Sequence, residues 1–182
     1  MNKNLEKHWS RLVETKKYYE ALLKTFNEQQ LHFKSDANTW SMMEVMHHLY
    51  TSEKLSTDFV KGFDFKRKNV KLGLKSQLKT ILLVNRLNSK RKFKAPKILA
   101  TKGAALELSN DAGLFKQQWH DLREEMKAML GAFPDDKLDY FVFNQPVTGK
   151  MKLSQMLQFF NAHLNHHKHQ IETINHHKNF PI

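Results

Sequence analysis

Apolar residues recur at helical spacing in four long stretches of the chain. Leu5, Trp9, Leu12, Tyr19, Leu23 and Phe26 fall three, four or seven apart and predict a first helix over about residues 3–30. A second helix starts after Trp40, where Ser41 and Glu44 have the S-x-x-E spacing of a capping box. Trp40 before the cap and Val45 after it suit a hydrophobic staple. Its apolar face runs through Val45, Leu49, Ser52, Ser56 and Phe59, with Gly62 as the stop. A third helix follows the SNDAG run at 109–113 and extends to Gly131, with Phe115, Trp119, Leu122, Met126 and Met129 on its stripe. A fourth covers about residues 153–175 through Leu153, Met156, Leu157, Phe160, Leu164, Ile171 and Ile174. Between the second and third, residues 75–89 suit a shorter helix, and the stretch around Pro96 reads as loop. Strand signals are few, with one short extended stretch at 140–143. The expected fold is all-α: a four-helix bundle with a long crossover between helices two and three.

Composition narrows the class. The chain has 182 residues, 40% of them hydrophobic and 26% charged, which suits one globular domain burying roughly 70% of its extended surface. One domain over 1–182 is expected, with a basic connecting segment at about 63–111. Cysteine is absent, which excludes disulfides, Cys-ligated zinc, iron–sulfur clusters and a cysteine nucleophile. The longest aliphatic run, Ile81 to Val84, is far short of the ~18 residues of a spanning helix. The first residues, MNKNLEKHWSR, lack the apolar core of a secretory signal. A soluble, cytoplasmic protein with no membrane partner is the expectation.

The net charge of +12 is concentrated in one place. Residues 61–102 hold 14 Lys or Arg and one acid, Asp64, against 16 basic and 17 acidic residues elsewhere. The segment reads first as a long solvated basic connection. Its functional reading is a surface for nucleic acid or another polyanion. Three phenylalanines (Phe63, Phe65, Phe93) with no stacking motif give RNA recognition little support.

Six of the eleven histidines lie between 163 and 177. His163 and His167, four apart, share the apolar face of the fourth helix, whereas His166, His169, His176 and His177 lie mostly off it. On the second helix His48 phases with Val45, Leu49 and Ser52, and His47 points about 100° away. Alone, each would read as a hydrogen-bonded core histidine. Three imidazoles facing the core from two helices point to a metal ion, with positions left open as in catalytic sites. Glu44, one turn before His48, either supports that ring or simply closes the capping box. Gln170 either orients a ligand or packs. The neighbours His47 and His166 are possible substitutes as ligands. Asp135 and Asp136 read as turn chemistry. No G-x-S-x-G, Walker-type phosphate loop, G-x-G-x-x-G or H-E-x-x-H occurs.

Two blocks carry a family resemblance. WSMMEVMHHLYTSE (40–53) and QPVTGKMKLSQMLQFFNAHLNHHKHQI (145–171), with its H-x-x-x-H-x-x-Q-I ending, resemble the DinB-like superfamily, the DinB/YfiT-like metalloenzymes. The helix order fits along nearly the whole chain, and the basic insert departs most. The resemblance implies a bundle with a crossover between helices two and three. It implies a divalent metal, zinc or nickel, on His48, His163 and His167. It also implies common homodimers, and activities that include hydrolysis and transfer of low-molecular-weight thiols such as bacillithiol or mycothiol. Two functions therefore stand side by side. One is a metal-dependent hydrolase or thiol S-transferase acting on a small-molecule substrate, with catalytic residues other than the ligands unassigned. The other is a non-enzymatic protein that binds a polyanion through residues 61–102.

Overall fold

The structure is a computed structural model that describes residues 1–64, 69–89 and 106–182. Its helices are α1 (Lys3–Thr25), α2 (Glu28–Leu31), α3 (Met42–Lys61), α4 (Leu74–Leu87), α5 (Ala112–Ala132) and α6 (Leu153–Asn175). A 3₁₀ turn at Asp135–Lys137 and a hairpin of β1 (Phe143–Gln145) and β2 (Gly149–Met151) complete the described elements. The chain is all-α, as its periodicity implies, with six helices and one two-stranded hairpin among the described residues. Helices α1 and α3 each pack on both α5 and α6, and α4 packs along α6. Their buried faces share one core, in which Leu12, Tyr19, Met46, Phe115, Met126 and Leu164 are wholly enclosed.

The first helix ends earlier than its periodicity suggests. Phe26 is extended, and Asn27 starts α2 by accepting from the Gln30 amide while the Gln30 side chain accepts from the Asn27 amide. This second capping box outcompetes continuation of α1. The Phe26 ring turns to meet Phe180, 5.7 Å away. The start of α3 follows the sequence reading: Ser41 caps the Glu44 amide and Glu44 reaches back to Ser41. Glu44 also pairs with Lys34 at 2.6 Å and so serves the cap. On the α3 face Val45, Leu49, Ser52 and Ser56 are buried, but Phe59 is 40% exposed and meets the rings of Phe63 and Phe141. Met129 and Ile174 are likewise at the margin of the core.

The expected extended stretch at 140–143 is a register of two pairings. Residues 70–72 bond to 139–141, and Phe143 pairs with Met151 across the hairpin. Gln145 organises the hairpin turn by accepting from the Val147 and Thr148 amides, and Gly149 takes a positive φ of 80° that suits glycine. The hairpin sets the start of α6, where buried Gln155 closes a cap with the Lys152 amide and accepts from Ser76 of α4.

A charged pair is enclosed between α3 and α5. The Glu53 carboxylate of α3 accepts from Arg123 Nε (2.9 Å) and Nη2 (2.7 Å) and from Trp119 Nε1 (2.9 Å), all on α5. Glu53 and Arg123 are both buried.

Candidate metal centre

His48 sits nearly two turns into α3, and His163 and His167 lie on successive turns of α6. Because α3 packs on α6, the phase of each helix decides which ring reaches the shared interface. The structure brings these three rings together. The Nε2 atom of His163 is 3.1 Å from that of His48 and 3.1 Å from that of His167. The ring centroids form a near-equilateral triangle of 4.7, 4.9 and 5.0 Å. His163 and His167 are buried and His48 is half-buried.

Burial governs the protonation of the set. It pushes the His48 imidazole down to about 4 and His167 down to about 3, where the neighbouring His48 acts in the same direction and the Gln170 contact opposes. His163, the most enclosed, lies well below the ordinary imidazole range, through burial first and then its histidine neighbours. All three rings are therefore neutral near pH 7, with a lone pair available on each. The tautomer of His167 is fixed from outside: its Nδ1–H donates to Gln170 Oε1 at 2.8 Å, which leaves Nε2 unprotonated and directed at the other two rings.

Three nitrogens so placed could hold one metal ion. A tetrahedral ion with bonds of about 2.0–2.1 Å to nitrogen sets its ligand atoms about 3.3 Å apart, close to the spacing across His163. Neutral nitrogen donors without thiolate or carboxylate suit zinc, copper, iron or nickel better than magnesium or calcium.

The adjacent histidines His47 and His166 are engaged with backbone carbonyls. The Nε2–H of His47 donates to the Ser109 carbonyl at 2.9 Å, and its ring lies against Phe115. His166 donates through Nδ1 to the Leu87 carbonyl at 2.8 Å and so ties α6 to α4. Glu44 is engaged at the α3 cap.

The periodicity does not disclose the walls of the site. Trp40 lies with its ring 5.1 Å from His48 and nearly parallel to His167, and Phe159 stacks on His163 at 5.2 Å. The sequence marks Trp40 by its place before the α3 cap and at the start of the 40–53 block, neither of which sets it beside the imidazoles. Phe159 falls one residue from the counted stripe. The basic segment is described only in part: the KRK runs at 66–68 and 90–92 lie outside the described residues. Within it, Lys61 pairs with Glu125 of α5.

A family model described as the DinB superfamily matches residues 11–171, a span that includes all three histidines. No curated protein and no solved structure matches the chain.

Proposed function

The chain belongs to the DinB superfamily, and on that premise we propose that it is a metal-dependent enzyme whose His48, His163 and His167 hold one divalent ion, zinc or nickel. The reaction is hydrolysis or transfer of a low-molecular-weight thiol on a small-molecule substrate. The observation that carries this reading is the convergence of three Nε2 atoms from two helices, two of the rings buried and one half-buried. A bound ion supplies Lewis acidity, which brings the pKa of a ligand water or thiol towards neutrality. The chain's own residues do the remaining work. The three imidazoles stay unprotonated because burial disfavours their charged forms. Gln170 orients His167, while Trp40 and Phe159 flank the rings with apolar surface. Three protein donors leave further coordination positions for substrate. With no cysteine in the chain, any reacting thiol comes from outside it.

Metal content tests the assignment. Untagged protein purified without added metal or chelator is expected to carry about one ion per chain by mass spectrometry, as a single three-histidine site requires. The His163→Ala/His167→Ala variant is expected to fold and carry none. A folded double variant that keeps its metal would place the ion elsewhere. Substrate panels for thiol transfer and for hydrolysis then separate the two chemistries.

The role of Gln170 gives a finer test. Gln170→Ala should weaken metal binding about 10–100-fold in a chelator competition titration, whereas Gln170→Glu keeps the acceptor and most of the affinity. Unchanged affinity in the alanine variant would show that the ring needs no outside support.

A further inference from the structure

Helix α4 is apolar on two sides. Its inner side buries Thr80, Leu83 and Leu87 against α6. On the opposite side Leu74 is 83% exposed, Leu78 61%, Leu82 68% and Ile81 43%. These four fall at i, i+4, i+7 and i+8, one continuous stripe along the helix. A stripe of large aliphatic residues is uncommon on a solvated face and marks a surface that meets something. Exposed Lys75 and Lys79 run along one flank of it, one turn apart.

The charge pattern selects the occupant. The segment 61–102, of which α4 is the described centre, has 14 basic residues and one acid. A second copy docked by the same face would set Lys75 and Lys79 near their own counterparts. Nucleic acid would meet the lysines but offers no apolar layer to Leu78 and Leu82. An anionic lipid surface supplies both, phosphate headgroups beside an acyl boundary. Among the described residues no helix is long and apolar enough to cross a membrane, which does not bear on one that lies in the interface.

We propose that the outer face of α4, with Leu74, Leu78, Ile81 and Leu82 flanked by Lys75 and Lys79, docks on an anionic lipid bilayer with the helix parallel to the membrane plane. The full chain is mixed with phosphatidylcholine vesicles, with or without about one-third phosphatidylglycerol, and separated by flotation at low and high salt. Binding is expected to the anionic vesicles only and to fall with salt. Leu78→Gln/Leu82→Gln should reduce it about tenfold or more, and Lys75→Gln/Lys79→Gln should remove much of the salt-sensitive part. No flotation of wild type with anionic vesicles at low salt overturns the proposal. So does undiminished binding of the leucine variant, which would mean adsorption by charge alone. Sedimentation velocity and thermal melts of the leucine variant close the other routes. Conversion of a dimer to a monomer would assign the stripe to a second copy, and a marked loss of thermal stability would assign it to cover by the chain itself.

Discussion

Glu53→Ala is expected to destabilise the fold by about 3–5 kcal/mol, because it leaves the buried Arg123 guanidinium without its counter-charge. The carboxylate holds three donors from α5, and both charged groups are nearly withdrawn from water. Folded domains are stable by only about 5–15 kcal/mol, so urea denaturation should show a large drop in midpoint or no cooperative transition at all. Glu53→Gln keeps an acceptor for Trp119 and should fall between the two. Replacing both partners with apolar residues of similar size should recover much of the loss, since the pair's desolvation nearly offsets its attraction. An alanine variant within about 1 kcal/mol of wild type would mean that water reaches the pair.

Acid should unfold the metal-free protein sooner than its carboxylates alone require. His48 and His167 have folded values of about 4 and about 3 against 6.5 when exposed, and His163 lies lower than 6.5 as well. Below pH 6.5 the unfolded chain takes up protons that the folded chain refuses, so stability falls as pH falls. The loss levels off only as pH passes the folded values. Within that window each such histidine contributes a slope of about 1.4 kcal/mol per pH unit, so the His48 shift amounts to an order of 3 kcal/mol. Denaturation of the chelated protein at several pH values from about 7.5 to 4.5 measures the slope. His48→Asn should make it shallower by about 1.4 kcal/mol per pH unit, the share of one histidine, with those of His163 and His167 remaining. A stability that stays level from about pH 7 to 5 would show that protons already reach these rings in the folded state.

The features that the sequence disclosed are those with short-range causes. The Ser41–Glu44 box is complete within four residues, and the end of the sixth helix at Asn175 follows its own periodicity. His163 and His167 share a face by spacing alone, and His48 follows the phase of Val45 and Leu49. The features that escaped depend on partners far along the chain. The stripe beginning at Leu5 continues to Phe26, and nothing in it reveals that the box at Asn27 and Gln30 wins. Glu53, Arg123 and Trp119 look like three unrelated residues until α3 meets α5. On α4, apolar residues occupy both sides, so periodicity predicts a helix but not which side turns inward. The place of Trp40 beside two imidazoles follows from the approach of α6, which no local pattern contains.

Helix α6 touches α1, α3 and α4, and the Tyr19 hydroxyl donates to its Leu164 carbonyl inside the core. On the ribosome, residues 153–175 emerge about ninety positions after the end of α3 and later still after α1, and two of the three imidazoles emerge with them. Until then the earlier helices have no partner for the faces that α6 will cover. The growing chain must therefore tolerate exposed apolar surface late in synthesis, a state prone to association and to capture by chaperones. A chain that stops before residue 163 has only one of the three imidazoles, so any ion held by the triad would bind after the last helix has closed. A premature stop before residue 153 would yield neither the core nor the site, leaving quality control to degrade a product with no partial use.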